Sequence, residues 1–126
     1  VAERGDGGVI KILEMSFEKG SVQVLTENAI RKVLSPTKLT IGDTINLQRI
    51  SGGTLTGQKM LPSAFFAIKE MKNNEGTLTG VALYGGGYGH GVGLSQYGAK
   101  ELAGQGLSGE EIVETYFPNT TVEKAM

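Results

Sequence analysis

His90 is the only imidazole in this 126-residue chain, and it lies inside GGGYGHGVGLSQYGA, residues 85–99, the densest run of glycine. A histidine can carry protons near neutral pH, ligate a metal or donate hydrogen bonds. Glycine around it lets the backbone approach a bulky ligand or adopt dihedrals denied to other residues. Phosphate binding is the first chemistry to weigh, because a turn between strand and helix presents backbone N–H groups and a helix N-terminus. No G-x-G-x-x-G register fits, no Gly-Lys-Ser/Thr step follows, and the strand-helix-strand unit with an acidic residue beyond is missing. Zinc fares no better, since one His and no Cys leave only carboxylates to complete a shell. The expectation is therefore no metal and no cofactor. A serine nucleophile would need a base beside it, and Ser95 sits five positions from His90 without a G-x-S-x-G elbow.

What remains is a site made of backbone and a few polar side chains. Tyr88, His90, Ser95, Gln96 and Tyr97 present hydroxyl, imidazole and amide groups and aromatic faces, with Tyr84 just upstream. That set suits a neutral, hydroxyl-rich ligand such as a glycan better than a phosphate or a lipid. The competing reading is a tight strand-to-helix connection packed on the core, with His90 hydrogen-bonded structurally. On the residues alone both stand.

The elements that must position these groups follow from periodicity. Residues 8–17 are β-branched and apolar on both faces, and 21–25 (SVQVL) alternate, with Glu18-Lys19-Gly20 as the turn of a hairpin. Thr26 fits a helix N-cap, with Leu25 and Ile30 placed as a hydrophobic staple. Ile30, Val33 and Leu34 form an apolar stripe, and Ser35-Pro36 ends the helix. Over residues 37–57, Leu39, Ile41, Ile45, Leu47 and Ile50 alternate with polar residues, which reads as short strands and loops before the Ser51-Gly52-Gly53 turn. TLTG occurs at 54–57 and again at 77–80. A true repeat unit would run to about 20 residues or more, so this is no repeat. Residues 63–71 and 77–84 flank Lys72-Asn73-Asn74-Glu75-Gly76 as the clearest hairpin, and its second strand runs into the glycines.

Beyond the glycines, residues 94–103 read as a helix with Leu94, Ser95, Gly98, Ala99 and Leu102 on one face, ended by Gly104 and Gly106. Ser108 caps a second helix, with Glu111 reaching back, Leu107 and Ile112 as staple, Val113, Tyr116 and Phe117 continuing the apolar face, and Pro118 closing it. The fold class is α+β: antiparallel hairpins forming a small sheet, packed with a short helix after the first hairpin and two C-terminal helices.

Composition bounds the rest. With 39% hydrophobic and 20% charged residues the chain is that of a globular protein, and its length suits one domain with a core. A formal charge of −1 gives no reason to expect a nucleic-acid or anionic-membrane partner. The absence of cysteine excludes disulfides and thiolate metal sites. No apolar run reaches membrane-spanning length.

One resemblance narrows the function. YGHGVGLSQYGAK at 88–100, GLSGEEI at 106–112 and YFP at 116–118 are similar to the C-terminal signature of the stage II sporulation protein D family, which includes amidase-enhancer proteins. VLTENAIRKVL at 24–34 resembles the family's helix with its internal Arg, and PSAFFAI at 62–68 resembles one of its strands, so the likeness covers roughly residues 8–118. It implies cell-wall work in sporulation, in a domain like a lytic transglycosylase that cleaves peptidoglycan glycan strands lacking stem peptides. In such enzymes a carboxylic acid protonates the glycosidic oxygen while the sugar's own primary hydroxyl attacks, leaving an anhydro-muramyl end. One carboxyl can serve as acid and then as base.

The family's Glu-bearing motif has no match in residues 1–126. The resemblance thus implies that residues 1–126 are one domain forming the C-terminal part of a larger peptidoglycan-acting domain, whose catalytic acid lies upstream. The catalytic residue within the chain is unknown. His90 is a candidate for an assisting role, and Tyr88, His90, Ser95, Gln96 and Tyr97 are the expected substrate-binding residues. Glu70, Glu75 and Glu101 are candidate substitutes for the acid, with solvated surface carboxylates as the competing reading. The alternative function is a non-catalytic glycan-binding or amidase-enhancing module. Implied partners are peptidoglycan glycan strands and other cell-wall hydrolases of sporulation. The implied location is extracytoplasmic, at the cell envelope, with a membrane anchor upstream of residue 1.

Overall fold

The computed structural model describes residues 1–38 and 42–123. Its chain divides into two compact units, Val1–Gly91 and Val92–Met126. In the first, β1 (Glu3–Arg4), β2 (Ile10–Phe17) and β3 (Gly20–Leu25) make an antiparallel sheet in that order, with Phe17 opposite Gly20 and Ile12 opposite Leu25. The expected hairpin is β2–β3. β1 is an addition, because two polar residues carry no periodicity to read. Glu3 pairs with Ile12 but Arg4 with Ile10, so Lys11 is an extra residue that bulges β2. The bulge resets the alternation, which is how Ile10 and Leu13, three positions apart, are both buried.

Thr26 caps α1 (Glu27–Val33) as expected, its hydroxyl accepting from the Ala29 N–H at 3.3 Å. Ile30 points from α1 into the core and is fully buried. After Leu34 closes the helix, the buried Ser35 hydroxyl oxygen accepts from the backbone N–H groups of Thr37 and Lys38, and Pro36 is also buried. Leu39 and Ile41 lie outside the described residues. Farther on, β4 (Leu47–Gln48) pairs with β5 (Thr54–Leu55) around the expected turn.

β6 (Phe66–Lys72) and β7 (Leu78–Gly85) form the last hairpin, and the Asn73 side chain accepts from the N–H groups of Glu75 and Thr77 to shape its turn. β6 starts later than the periodicity of residues 63–71 suggests. Residues 62–65 are bonded elsewhere: the Ala64 carbonyl accepts from Ile10 N–H at 2.9 Å, and their neighbours serve the glycine segment. The antiparallel hairpins form as expected, but as three small sheets rather than one. What joins them is the shared core of Ile10, Leu13, Ile30, Leu61, Ala64 and Phe66, flanked by Val9, Met15, Val24, Leu34, Leu47 and Leu83.

The second unit is a pair of helices, α2 (Gln96–Gly104) and α3 (Gly109–Tyr116). α2 begins two residues later than the apolar pattern suggests, so Leu94 precedes it and Ser95 is its N-cap rather than part of an inner face. The rest of that face holds: Gly98, Ala99 and Leu102 are half-buried. A Cβ on Gly98 would run into the Tyr116 hydroxyl and stand 3.2 Å from its ring carbon, so the glycine is where α3 comes close. α3 carries the full capping box. Ser108 N–H donates to the Glu111 carboxylate at 2.8 Å, and Glu111 N–H donates to the Ser108 hydroxyl at 3.2 Å. Ile112 is buried, whereas Val113 and Phe117, expected on the apolar face, keep 36% and 43% of their surface exposed. Eight residues leave too little helix to cover a broad stripe. No described helix is long and apolar enough to cross a membrane.

Candidate functional site

The first unit's share of the glycine run is held almost entirely by backbone. Gly86 N–H donates to the Phe65 carbonyl at 3.0 Å, and Gly89 N–H donates to the Pro62 carbonyl at 2.8 Å. The Ser63 hydroxyl donates to the Gly86 carbonyl at 2.5 Å and accepts from Phe65 N–H. Residues 86–89 are thereby laid along residues 62–65. At Gly85 the approach is closest, since a Cβ there would stand 2.6 Å from the Phe65 carbonyl oxygen and 2.7 Å from the Phe66 Cβ. Gly87, Gly89, Gly91 and Gly93 then take φ values of 80°, 115°, 73° and 77°. Such positive φ values, strained for most residues that carry a Cβ, keep the segment out of regular structure.

Tyr88 and His90 stand on this held backbone. Both are exposed, Tyr88 to 82%. The support runs deeper into the unit through Arg31, a half-buried residue of α1. Its Nε donates to the Leu61 carbonyl at 2.8 Å, its own carbonyl accepts from Leu61 N–H, and its guanidinium pairs with Glu27 at 3.2 Å. Arg31 thus fixes the segment that in turn fixes the glycines. The family-like internal Arg of residues 24–34 is this residue, but its reach to Leu61 is a tertiary contact that spacing does not disclose.

Ser95, Gln96 and Tyr97 belong to the second unit. The Ser95 hydroxyl accepts from Gly98 N–H at 3.1 Å as the cap of α2. Gln96 and Tyr97 occupy the first turn and are exposed, Tyr97 to 83%. The boundary between the units falls between Gly91 and Val92, so the five expected ligand-binding residues divide two and three.

The carboxylates considered as acids sit on the surface. Glu70 pairs with Lys72 at 2.7 Å, and the hydrogen bond and charge of that lysine hold its carboxyl below the ordinary value. A general acid needs the opposite shift, upward toward neutral pH. Glu75 and Glu101 are exposed, with Glu101 accepting from the Gln105 amide at 3.3 Å. Among the described residues no three His, Asp or Glu side chains gather where they could hold a metal ion.

Comparison with known proteins gives three related sequences. The chain is 40% identical over 81 residues to stage II sporulation protein D of Bacillus amyloliquefaciens, covering 64% of this chain and 22% of the relative. It is 34% identical over 113 residues to stage II sporulation protein D of Bacillus subtilis strain 168, covering 86% of this chain and 30% of that protein. It is 36% identical over 69 residues to the amidase enhancer of the same strain, covering 55% of this chain and 9% of the relative. The chain therefore spans less than a third of the length of each curated relative. No family model and no solved structure matches it.

Proposed function

This chain belongs to the stage II sporulation protein D and amidase-enhancer family, and from that premise we propose that it binds peptidoglycan glycan strands in the cell envelope during sporulation. In this reading it is the substrate-holding part of a lytic transglycosylase-like domain. The observation that carries the reading is the glycine segment: its backbone is committed to Pro62, Ser63 and Phe65, while Tyr88 and His90 remain exposed on it. A segment built only to connect strand to helix has no need to leave the Tyr88 ring 82% exposed. Tyr88 offers a flat face to a pyranose, and His90 can hydrogen-bond a hydroxyl.

The acid that cleaves comes from outside residues 1–126 in this proposal. The downward shift of Glu70 and its place on the surface support that division. Glycan strands are the partner, other cell-wall hydrolases of sporulation act on the same material, and no cofactor takes part. Incubation of the chain with peptide-free glycan strands tests the proposal. Binding in a sedimentation assay without new anhydro-muramyl ends is the expected result. Appearance of such ends would show that the chain carries its own acid, and absence of binding would overturn the reading.

The second reading, a non-catalytic module that enhances an amidase, draws on the relative named amidase enhancer. It predicts that adding the chain accelerates a cell-wall amidase, whether or not an upstream acid is supplied.

A further inference from the structure

Arg4 has no part in the site described so far, yet its guanidinium is held firmly. One terminal nitrogen donates to the Gly8 carbonyl and the other to the Phe66 carbonyl, both at 2.7 Å. Of the five N–H donors on an arginine, these bonds use two. No described carboxylate pairs with it, and the neighbouring Glu3 turns instead to Lys11 at 3.9 Å. The result is an oriented cation with donors to spare.

That cation lines a cleft of about 250 Å³ together with Phe65, Phe66, Ala67 and Tyr84. Tyr84 lies directly across from Ala67 in the β6–β7 ladder, so their side chains share a face. Phe65 and Tyr84 leave 48% and 63% of their surface in water. Packing does not require two aromatic rings held open beside an unpaired guanidinium. An apolar ligand would leave the guanidinium unused, and a bare inorganic anion would leave the rings unused. A sugar ring bearing a carboxylate uses both: the C–H face of the pyranose lies on the rings, and the carboxylate takes the guanidinium fork in two parallel bonds. Pockets for drug-sized ligands run from about 300 to 1,000 Å³, so this cleft suits one ring.

We propose that Arg4, Phe65 and Tyr84 form a subsite for a single carboxylate-bearing sugar residue. The inference rests on the glycan reading and deepens it, since Tyr84 leads into the glycine segment and Phe65 accepts from Gly86 N–H. A strand in which acidic and neutral sugars alternate would be read here by its acidic member. The subsite would then set which sugar of the strand lies against Tyr88 and His90.

The test is an NMR titration of the 126-residue chain with N-acetylmuramic acid, N-acetylglucosamine, which has the same ring without the carboxylate, and N-acetylalanine, a carboxylate without the ring. We expect shifts at the Arg4 Nε–H and at the Phe65 and Tyr84 rings, with N-acetylmuramic acid binding at least about tenfold more tightly than either control. Tyr84→Ala removes only an exposed ring and should weaken N-acetylmuramic acid about tenfold. Arg4→Lys keeps the charge, loses the fork and should do the same. If Arg4→Lys unfolds for want of its two carbonyl bonds, the Tyr84→Ala result and the sugar comparison decide. Equal affinity for the two sugars, equal affinity for N-acetylalanine, shifts confined to other residues, or an unchanged Tyr84→Ala would each overturn the proposal. Retained binding of glycan strands alongside any of these would locate the failure in the subsite and leave the broader reading standing.

Discussion

The two halves of the glycine-rich signature are held by opposite means. In residues 85–91 the backbone does the holding: Gly86 and Gly89 spend their main-chain groups on Pro62, Ser63 and Phe65, and the side chains of Tyr88 and His90 remain exposed. In residues 95–97 a side chain does the holding, because the Ser95 hydroxyl caps α2 through Gly98 N–H. Residues of similar polarity therefore have different duties. The Ser95 hydroxyl, which opens a helix, is committed to that cap. On the proposed reading Tyr88 and His90 serve as ligand groups, whereas Ser95 is the cap of α2.

The sharpest way to break the contrast is at Gly85. A methyl group there meets a backbone oxygen at 2.6 Å, which no rotamer change can relieve. Gly85→Ala should cost about 1–3 kcal/mol in denaturant unfolding. Full stability would mean that the glycine segment is not laid against Phe65. Next in size is Ser95→Ala, which should lose about 1 kcal/mol as an N-cap deletion and leave glycan affinity unchanged once folding is allowed for. A large specific loss of affinity would return Ser95 to the ligand set.

Gly98→Ala sets two effects against each other. Alanine favours a helix by about 1 kcal/mol over glycine, but its methyl group would displace Tyr116. Thermal melting should show a net loss of stability; a gain would show that Tyr116 swings aside freely.

The smallest effect is in the second cap. Hydrogen bonds from the Ser108 backbone and hydroxyl hold the Glu111 carboxyl below its ordinary value of 4.5. A depressed value means the ionised form is favoured in the folded helix, so the stabilisation is complete above 4.5 and fades as pH falls through the lower folded-state value. The Ser108 amide resonance should follow that titration, and in Glu111→Gln it should not move over the same range.

Much of this was legible in the sequence because it depends on short-range rules. Thr26 and Ser108 were readable as caps from their spacing to the residues that follow, and the Asn73 turn from its composition. Ser95 was misread as an inner-face residue because a helical wheel cannot tell the last residue outside a helix from the first inside. The splitting of the hairpins into three sheets was not legible, since alternation tells which residues pair locally and not which strands extend one another. Arg31 and Ser63 were equally hidden as supports of the glycine segment. Their contacts join positions 30 and 23 residues apart in the chain, and no local pattern encodes them. The Arg4 cleft needed the β2 bulge and the β6–β7 register together.

The central claim is that residues 85–91 present Tyr88 and His90 to a glycan strand, and affinity for peptide-free glycan strands measured on Tyr88→Ala beside the unaltered chain tests it most directly. Tyr88 is 82% exposed, so its loss should leave the melting temperature in place while weakening binding about tenfold. Unchanged binding at an unchanged melting temperature would contradict the claim and reduce the segment to a connection.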